Sequence, residues 1–148
     1  MATTRRAEPT VRPLHVAEPR AAYGRRPLAV VDASVIAEPE QAAAAHQLST
    51  CQPVAPDLLS YELANIAVNK LRRGHAESAV RASLGDLEAL GIALHPVAAA
   101  PAFDLAARHA LTAFDAAYLC LAAELRAPLI TFDRRLGEAA LRHLGNLE

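Results

Sequence analysis

The sequence predicts an α/β fold with a mainly parallel sheet. Short apolar runs at 28–31 and 129–132 lack the polar alternation of half-exposed strands, which is typical of strands covered on both faces. Segments with helical periodicity separate these runs from two shorter candidate strands, "PVAP" at 53–56 and "IALH" at 92–95. Strands that alternate with helices favour parallel pairing, because each helix carries the chain back to the edge where the next strand starts.

The helical periodicity predicts one long helix after the second strand and five others. The long helix covers 57–73, with Asp57 as its N-cap and Gly74 as its stop. The others are expected at 35–49, 76–90, 101–110, 112–126 and 133–143. A fifth strand would have to lie in the closing "LGNLE".

Residues 1–27 differ in composition from the rest of the chain. They contain four prolines and no hydrophobic period, which predicts a flexible, extended tail. Six arginines against two glutamates give this tail a charge of +4, whereas nine basic against fourteen acidic residues give 28–148 a charge of −5. Two interpretations of the tail stay open: an inert extension, or a basic arm that contacts a polyanion. The folded domain is expected at 28–148.

Length and composition argue against several classes of protein. A chain of 148 residues, 53% of them hydrophobic, can bury one sizeable core. No apolar run approaches the roughly 20 residues of a transmembrane helix, and no apolar signal-peptide segment is evident. Cys51 and Cys120 make no disulfide framework, so we expect a reducing cytoplasm. With a net charge of −1, binding to nucleic acid must depend on a local site.

Two acidic residues directly follow the two clearest strands. Asp32 comes after 28–31, and Asp133 comes after 129–132. In open parallel sheets, ligands bind outside the carboxyl ends of the strands, where the strand order reverses. If the two strands are neighbours, the two carboxylates face one crevice. The alternative is that each aspartate is an ordinary helix N-cap.

Two further acids complete a possible cluster. Asp115 lies in "TAFD", a capping box with Thr112 as the N-cap, which explains it without any function. Glu62 lies too far inside its helix to act as a cap, and its alternative is a solvated helix glutamate. Because Glu62 follows the second strand and Asp115 opens the helix before the fourth, both acids can lie at the same edge of the sheet as the two aspartates.

Carboxylates crowded at one edge would repel one another unless a cation neutralised them. Oxygen ligands without interleaved histidine or cysteine favour Mg²⁺, with Mn²⁺ as a substitute, over zinc. Such acidic clusters suit hydrolysis of phosphodiesters, in which the metal polarises the phosphate and helps to deprotonate the attacking water. If the four acids do cluster, the pattern therefore suits metal-dependent hydrolysis of a phosphodiester.

Three stretches carry a resemblance to a known family: "VVDASV", "SYELANIA" and "LTAFDAAYLCLAAELRAPLITFDRRL". They resemble the PIN-domain family and, within it, the VapC-type toxins of type II toxin–antitoxin systems. The resemblance covers about 28–136, and its third stretch is the most specific. It implies a three-layer α/β/α sandwich with a parallel sheet of four to five strands in the order 3-2-1-4-5. That order places the strands before Asp32 and Asp133 side by side.

The resemblance also implies the activity of a Mg²⁺-dependent endoribonuclease. Its catalytic and metal-binding acids would be Asp32, Glu62, Asp115 and Asp133. By analogy, Asp32 and Asp115 bind the metal directly, and Glu62 and Asp133 act directly or through bound water. Ser34 and Thr131 match positions where the family often has a hydroxyl that orients a carboxylate or water; the alternatives are a serine favoured in a turn and a threonine favoured in a strand.

The family further implies a structured RNA substrate, tRNA or ribosomal RNA, cleaved to 5′-phosphate and 3′-hydroxyl ends. It implies a cognate antitoxin that blocks the site and a homodimer. Arg134 and Arg135, which follow Asp133, would contact RNA phosphates, or else are surface arginines. Tyr118, one turn after Asp115, is interpreted as a core residue rather than a base-stacking platform.

The alternative function is a catalytically silent PIN-fold binding module in an antitoxin or operator complex. The sequence departs from the family pattern in its longer basic tail and its nearly missing last strand, and neither departure touches the four acids.

Overall fold

The fold is known from a computed structural model that describes residues 14–17, 26–38 and 42–147. The strands are β1 (His15–Ala17), β2 (Leu28–Val31), β3 (Gln52–Pro56), β4 (Ala93–His95) and β5 (Leu129–Thr131). The helices are α1 (Ala33–Ala37), α2 (Ala42–Thr50), α3 (Leu59–Arg72), α4 (Glu77–Ala89), α5 (Ala99–His109), α6 (Ala113–Leu125) and α7 (Arg134–Leu144). Within these residues, no helix is long and apolar enough to cross a membrane.

The sheet contains five strands in the order β1-β5-β2-β3-β4. The four strands from β2 to β5 pair in parallel, and β2 and β5 are neighbours. Counted from β2, their order is 3-2-1-4, so the predicted α/β sandwich and its central strand order are confirmed. Because β2 and β5 are parallel neighbours, their carboxyl ends meet at one edge of the sheet.

The fifth strand of the sheet does not come from the carboxyl-terminal residues, where the sequence predicted it. The closing residues through Leu147 contain no strand, and Glu148 lies outside the described residues. Instead, β1 pairs antiparallel with β5, with His15 opposite Thr131 and Ala17 opposite Leu129. Part of the predicted tail thus belongs to the sheet, while 1–13 and 18–25 lie outside the described residues. The edge of β5 offers unpaired backbone groups, and a short segment with no hydrophobic period can satisfy them.

Two helix boundaries differ from the predicted ones for identifiable reasons. The predicted helix 35–49 is two helices, α1 and α2; Glu38 ends α1 with φ −129° because it precedes a proline, which disfavours helical backbone at the residue before it. Asp57 is not the N-cap of α3, since its N–H bonds to the carbonyl of His95 at 2.9 Å and extends the pairing of β3 with β4. The cap position falls on Leu58, which forms no side-chain cap.

Helix α6 is the central helix of the molecule. Its seven consecutive residues 116–122 are buried, as expected of a helix that is apolar all round. It packs against β2, β3 and β5 and against α5 and α7, whereas α1 contacts β5 and α3. The first turn of α6 is thereby held near the carboxyl ends of the strands.

Candidate active site

Asp32 lies at the carboxyl end of β2 and is the N-cap of α1. Its Oδ2 accepts hydrogen bonds from the Ser34 hydroxyl at 2.6 Å and from the Thr131 hydroxyl at 2.8 Å. The Ser34 N–H is a longer donor at 3.4 Å. Only 6% of Asp32 is exposed, and this burial raises the pKa of its carboxyl group despite the three hydrogen bonds. Asp115 raises the same pKa further by charge repulsion.

The Ser34 and Thr131 hydroxyls are held in place by the turn that follows β5. The Phe132 N–H donates to Ser34 Oγ at 3.0 Å, and the Asp133 N–H donates to Thr131 Oγ1 at 2.9 Å. Because each hydroxyl oxygen already accepts a backbone hydrogen bond, its own proton is directed towards Asp32. Both residues therefore hydrogen-bond to the Asp32 carboxylate.

Glu62 reaches the same region from the first turn of α3. Its Oε2 accepts a hydrogen bond from the hydroxyl of Tyr118 on α6. Burial raises the pKa of Glu62, the Tyr118 bond lowers it, and the charges of Asp32 and Asp115 raise it further. Glu62 is therefore not a fully solvated helix residue, because it is half-buried and bonded to Tyr118.

Asp115 occupies the first turn of α6 within the predicted capping box. Its N–H donates to Thr112 Oγ1 at 3.1 Å, and the Thr112 hydroxyl donates to Asp115 Oδ2 at 2.7 Å. Capping explains why an acid is found at this position. Asp115 does more than cap the helix, because its negative charge also repels the carboxylates of Asp32 and Glu62.

Asp133 lies at the carboxyl end of β5 and caps α7. Its Oδ1 accepts from the Leu136 N–H at 2.8 Å, so the predicted N-cap is present. Its backbone is joined to Asp32 through Thr131, whose hydroxyl accepts from the Asp133 N–H and donates to Asp32 Oδ2. The four predicted acids thus lie on connected elements, with electrostatic repulsion among Asp32, Glu62 and Asp115 and a hydrogen-bonded link to Asp133.

The donor set suits a hard divalent cation. The side chains at this edge of the sheet offer carboxylate and hydroxyl oxygens, which Mg²⁺ and Mn²⁺ prefer. In the part of the chain that the structure describes, no three His, Cys, Asp or Glu side chains converge closely enough to enclose an ion. The repulsion among the acids does not require such convergence. Charges repel one another over distances longer than the about 2 Å of a metal–oxygen bond.

The two arginines after Asp133 both contact protein groups. Arg135 donates from Nη2 to the carbonyl of Ala110 at 2.6 Å. Ala110 is the left-handed C-cap of α5, with φ 54°, and starts the turn that leads to α6. Arg134 lies 3.9 Å from Glu138 in a long, exposed ion pair, which contributes little to stability.

Sequence reasoning gave Tyr118 no role outside the core. The residue is indeed fully buried, but its hydroxyl is bonded to Glu62. Burial, followed by the hydrogen bond to Glu62, raises the pKa of Tyr118 well above its usual range, so the phenol stays a donor. Its spacing of one helical turn from Asp115 places it on the same face of α6 and was the signal available in the sequence.

Comparison with known proteins agrees with this fold. The PIN domain family matches residues 29–141 of the chain. Ribonuclease VapC3 from Pyrobaculum aerophilum is 35% identical over 120 residues, which span 74% of this chain and 92% of that protein. The resemblance predicted from the three sequence stretches is confirmed. The chain therefore belongs to the PIN-domain family, and its similarity lies with the VapC type.

Proposed function

We propose that the protein is a metal-dependent endoribonuclease that acts as the toxin of a toxin–antitoxin pair. One observation carries the proposal: Asp32, Glu62 and Asp115 come from three different elements, and their charges interact at the edge where β2 and β5 end. Membership of the PIN-domain family and the similarity to a protein named as a ribonuclease support it.

The four acids have distinct roles in this proposal. Asp32 and Asp115 would hold Mg²⁺ or Mn²⁺ directly, and Glu62 and Asp133 would do so directly or through water. A bound divalent ion supplies polarisation of the scissile phosphate and a more acidic water. The Ser34 and Thr131 hydroxyls keep Asp32 oriented and offset part of the cost of burying its charge.

Arg134 and Arg135 are proposed to contact RNA phosphates beside the acids. Arg134 is well exposed, so its guanidinium group can leave its weak ion pair at little cost. Arg135 uses one N–H for the Ala110 carbonyl. A guanidinium group has five N–H donors, so the same side chain can hold the turn and a phosphate together.

The partners and surroundings of the protein belong to the same proposal. The substrate would be structured RNA, tRNA or ribosomal RNA, in the cytoplasm. A cognate antitoxin would neutralise the site by placing a basic side chain among the acids. A positive charge there would relieve the repulsion among the carboxylates. The active assembly would be a homodimer.

The first prediction compares the wild type with Asp115→Asn on total RNA. We expect the wild type to cleave RNA with Mg²⁺ and not with EDTA. Asp115→Asn should cleave at least about 100-fold more slowly, because a metal ligand contributes several kcal/mol to the transition state. Gel electrophoresis with end-group analysis measures the rate and the 5′-phosphate ends.

Asp104→Asn is the matched control, since Asp104 is an exposed aspartate on α5 and the chemical change is the same. It should cleave like the wild type. Equal cleavage by all three proteins in EDTA would contradict the proposal. A folded wild type that binds Mn²⁺ but cleaves no RNA would favour the alternative, a silent PIN-fold binding module.

A further inference from the structure

We propose that Tyr118 is a positioning residue whose hydroxyl fixes the Glu62 carboxylate against Asp32 and Asp115, an inference that rests on the proposed function. Tyr118 would touch neither RNA nor metal. It would act through Glu62, as an outer partner that orients a ligand.

The geometry joins three acid-bearing segments at one phenol. Tyr118 lies on α6, three residues after Asp115, and is 0% exposed. Its O–H donates to Glu62 Oε2 on α3. The backbone of Ala33, the residue after Asp32, interacts with the same oxygen. The hydroxyl is therefore placed where α6, α3 and the end of β2 meet.

The charges explain why Glu62 needs such a contact. Asp32 and Asp115 both repel its carboxylate, so repulsion favours side-chain conformers that turn towards solvent. Glu62 has three side-chain torsions, and holding it in one conformer costs conformational free energy as well. A buried hydrogen bond to a charged acceptor is among the stronger hydrogen bonds in proteins, so it can oppose both effects.

The hydroxyl is separable from the role of Tyr118 in packing. A phenylalanine would fill almost the same volume among the buried residues around α6, so the core itself does not require the oxygen. Outer partners that orient metal ligands typically change metal affinity or activity by 10- to 100-fold when they are removed. Removing the hydroxyl alone should therefore weaken the site and leave the fold intact.

The second prediction is a double-mutant cycle of Tyr118→Phe and Glu62→Ala. Calorimetry gives the Mn²⁺ dissociation constant, and RNA cleavage gives kcat and KM. Tyr118→Phe should weaken Mn²⁺ binding and lower kcat by about 10-fold each, with KM nearly unchanged. In the Glu62→Ala background, Tyr118→Phe should change neither quantity, because the partner through which it acts is already gone.

Thermal unfolding provides a further measurement, in which Tyr118→Phe should have opposite effects in the wild type and in Glu62→Ala. Tyr118→Phe should slightly lower the melting temperature of the wild type but raise that of Glu62→Ala, in which the phenol is buried without its acceptor. Tyr61→Phe is the matched control: it removes a tyrosine hydroxyl next to Glu62, on a side chain that is 81% exposed. It should match the wild type in metal affinity, kcat and melting temperature.

Each outcome separates the positioning role from the proposed function. If the wild type binds Mn²⁺ and cleaves RNA but Tyr118→Phe does the same, the positioning role is wrong and the nuclease stands. If the losses from Tyr118→Phe and Glu62→Ala multiplied in the double mutant, the positioning role would also be wrong. Tyr118→Phe would then act through a general effect on the fold and not through Glu62. A wild type that neither binds Mn²⁺ nor cleaves would overturn both.

Discussion

Asp32 has two opposite effects on the stability of the protein. As the N-cap of α1 it stabilises the fold, but its charge is buried next to other acids. Ser34 and Thr131 compensate part of this cost with short hydrogen bonds. The raised pKa of Asp32 shows that the compensation is incomplete. The residue therefore stores unfavourable free energy at the site where we propose that a cation binds.

The third prediction is that Asp32→Asn stabilises the metal-free protein at neutral pH. The folded protein holds the Asp32 proton more tightly than the unfolded chain does, so ionisation costs stability as the pH rises above the usual aspartate pKa. Asparagine can accept the same hydrogen bonds without a charge. In EDTA at pH 7 its melting temperature should be higher, by roughly 2–4 °C for each kcal/mol gained.

Near pH 3 the advantage of Asp32→Asn should shrink, because Asp32 is then mostly protonated in both the folded and the unfolded state. Asp104→Asn, on an exposed part of α5, should change little at either pH. A lower melting temperature for Asp32→Asn at pH 7 would show that its charge stabilises the fold, contrary to the inference from burial.

At the scale of elements, helices α5, α6 and α7 form a linked unit behind the acids. Arg135 on α7 bonds to Ala110 at the end of α5, and His143 on α7 packs edge-on against His109, with ring centroids 5.3 Å apart. The turn after Ala110 leads to Thr112, which caps the helix that carries Asp115. The contacts of α7 thus lie next to the turn that leads into the helix carrying Asp115.

The fourth prediction concerns the pH dependence of this unit. Burial, and then nearby positive charge, lower the pKa of both His109 and His143; Arg108 acts on both and Arg142 on His109. A lowered pKa means that the folded state disfavours protonation, so stability is present above the usual histidine pKa and is lost as the pH falls below it. The contribution of the two histidines to the melting temperature should fall between pH 7.5 and pH 5.5, against the opposite contribution of the buried acids Asp32 and Glu62.

His143→Phe should make that fall smaller, because it keeps an aromatic ring and removes one titrating group. His75→Phe is the control, since His75 is exposed at the turn between α3 and α4. Scanning calorimetry at both pH values gives the measurement. If His143→Phe retained the full wild-type dependence, the pair would not be the source of the pH sensitivity.

The sequence predicted most elements but not all of their boundaries. Features set by neighbouring residues were predictable, whereas features set by contacts between distant segments were not. The apolar runs of β2 and β5 and the capping box of Asp115 are local signals, and each is found as predicted. The bond from Tyr118 to Glu62 joins distant segments, and the fold alone brings them together. The N-terminal strand depends on pairing with β5, and its own residues carry no strand pattern.

At the scale of the whole molecule, β1 is held against both the sheet and α7. It pairs with β5, and the backbone of Gly137 on α7 lies against the His15 side chain. A Cβ atom at position 137 would lie 2.6 Å from His15 Cβ, a distance that real contacts do not tolerate. The absence of a side chain at this position allows the strand to approach the helix.

The fifth prediction is that Gly137→Ala destabilises the protein by about 1–3 kcal/mol, the usual cost of overpacking. Denaturant unfolding measures the loss, and hydrogen exchange of the 15–17 amides should show that β1 is displaced. Gly85→Ala is the matched control, because Gly85 lies in α4 with open space around it. That change should be neutral or stabilising by up to about 1 kcal/mol. Equal stability of Gly137→Ala and the wild type would exclude a tight contact with β1.

The direction of β1 has a practical consequence for handling the protein. Since His15 pairs with Thr131, the chain enters β1 at the edge where the four acids lie. Helix α7 starts at that edge, directly after Asp133, and its 11 residues carry the chain about 16 Å away. A polyhistidine tag fused directly before β1 would thus be tethered beside the carboxylates and would compete there for divalent ions. A tag at the carboxyl terminus is attached at the far end of α7 and is the better choice for every metal titration.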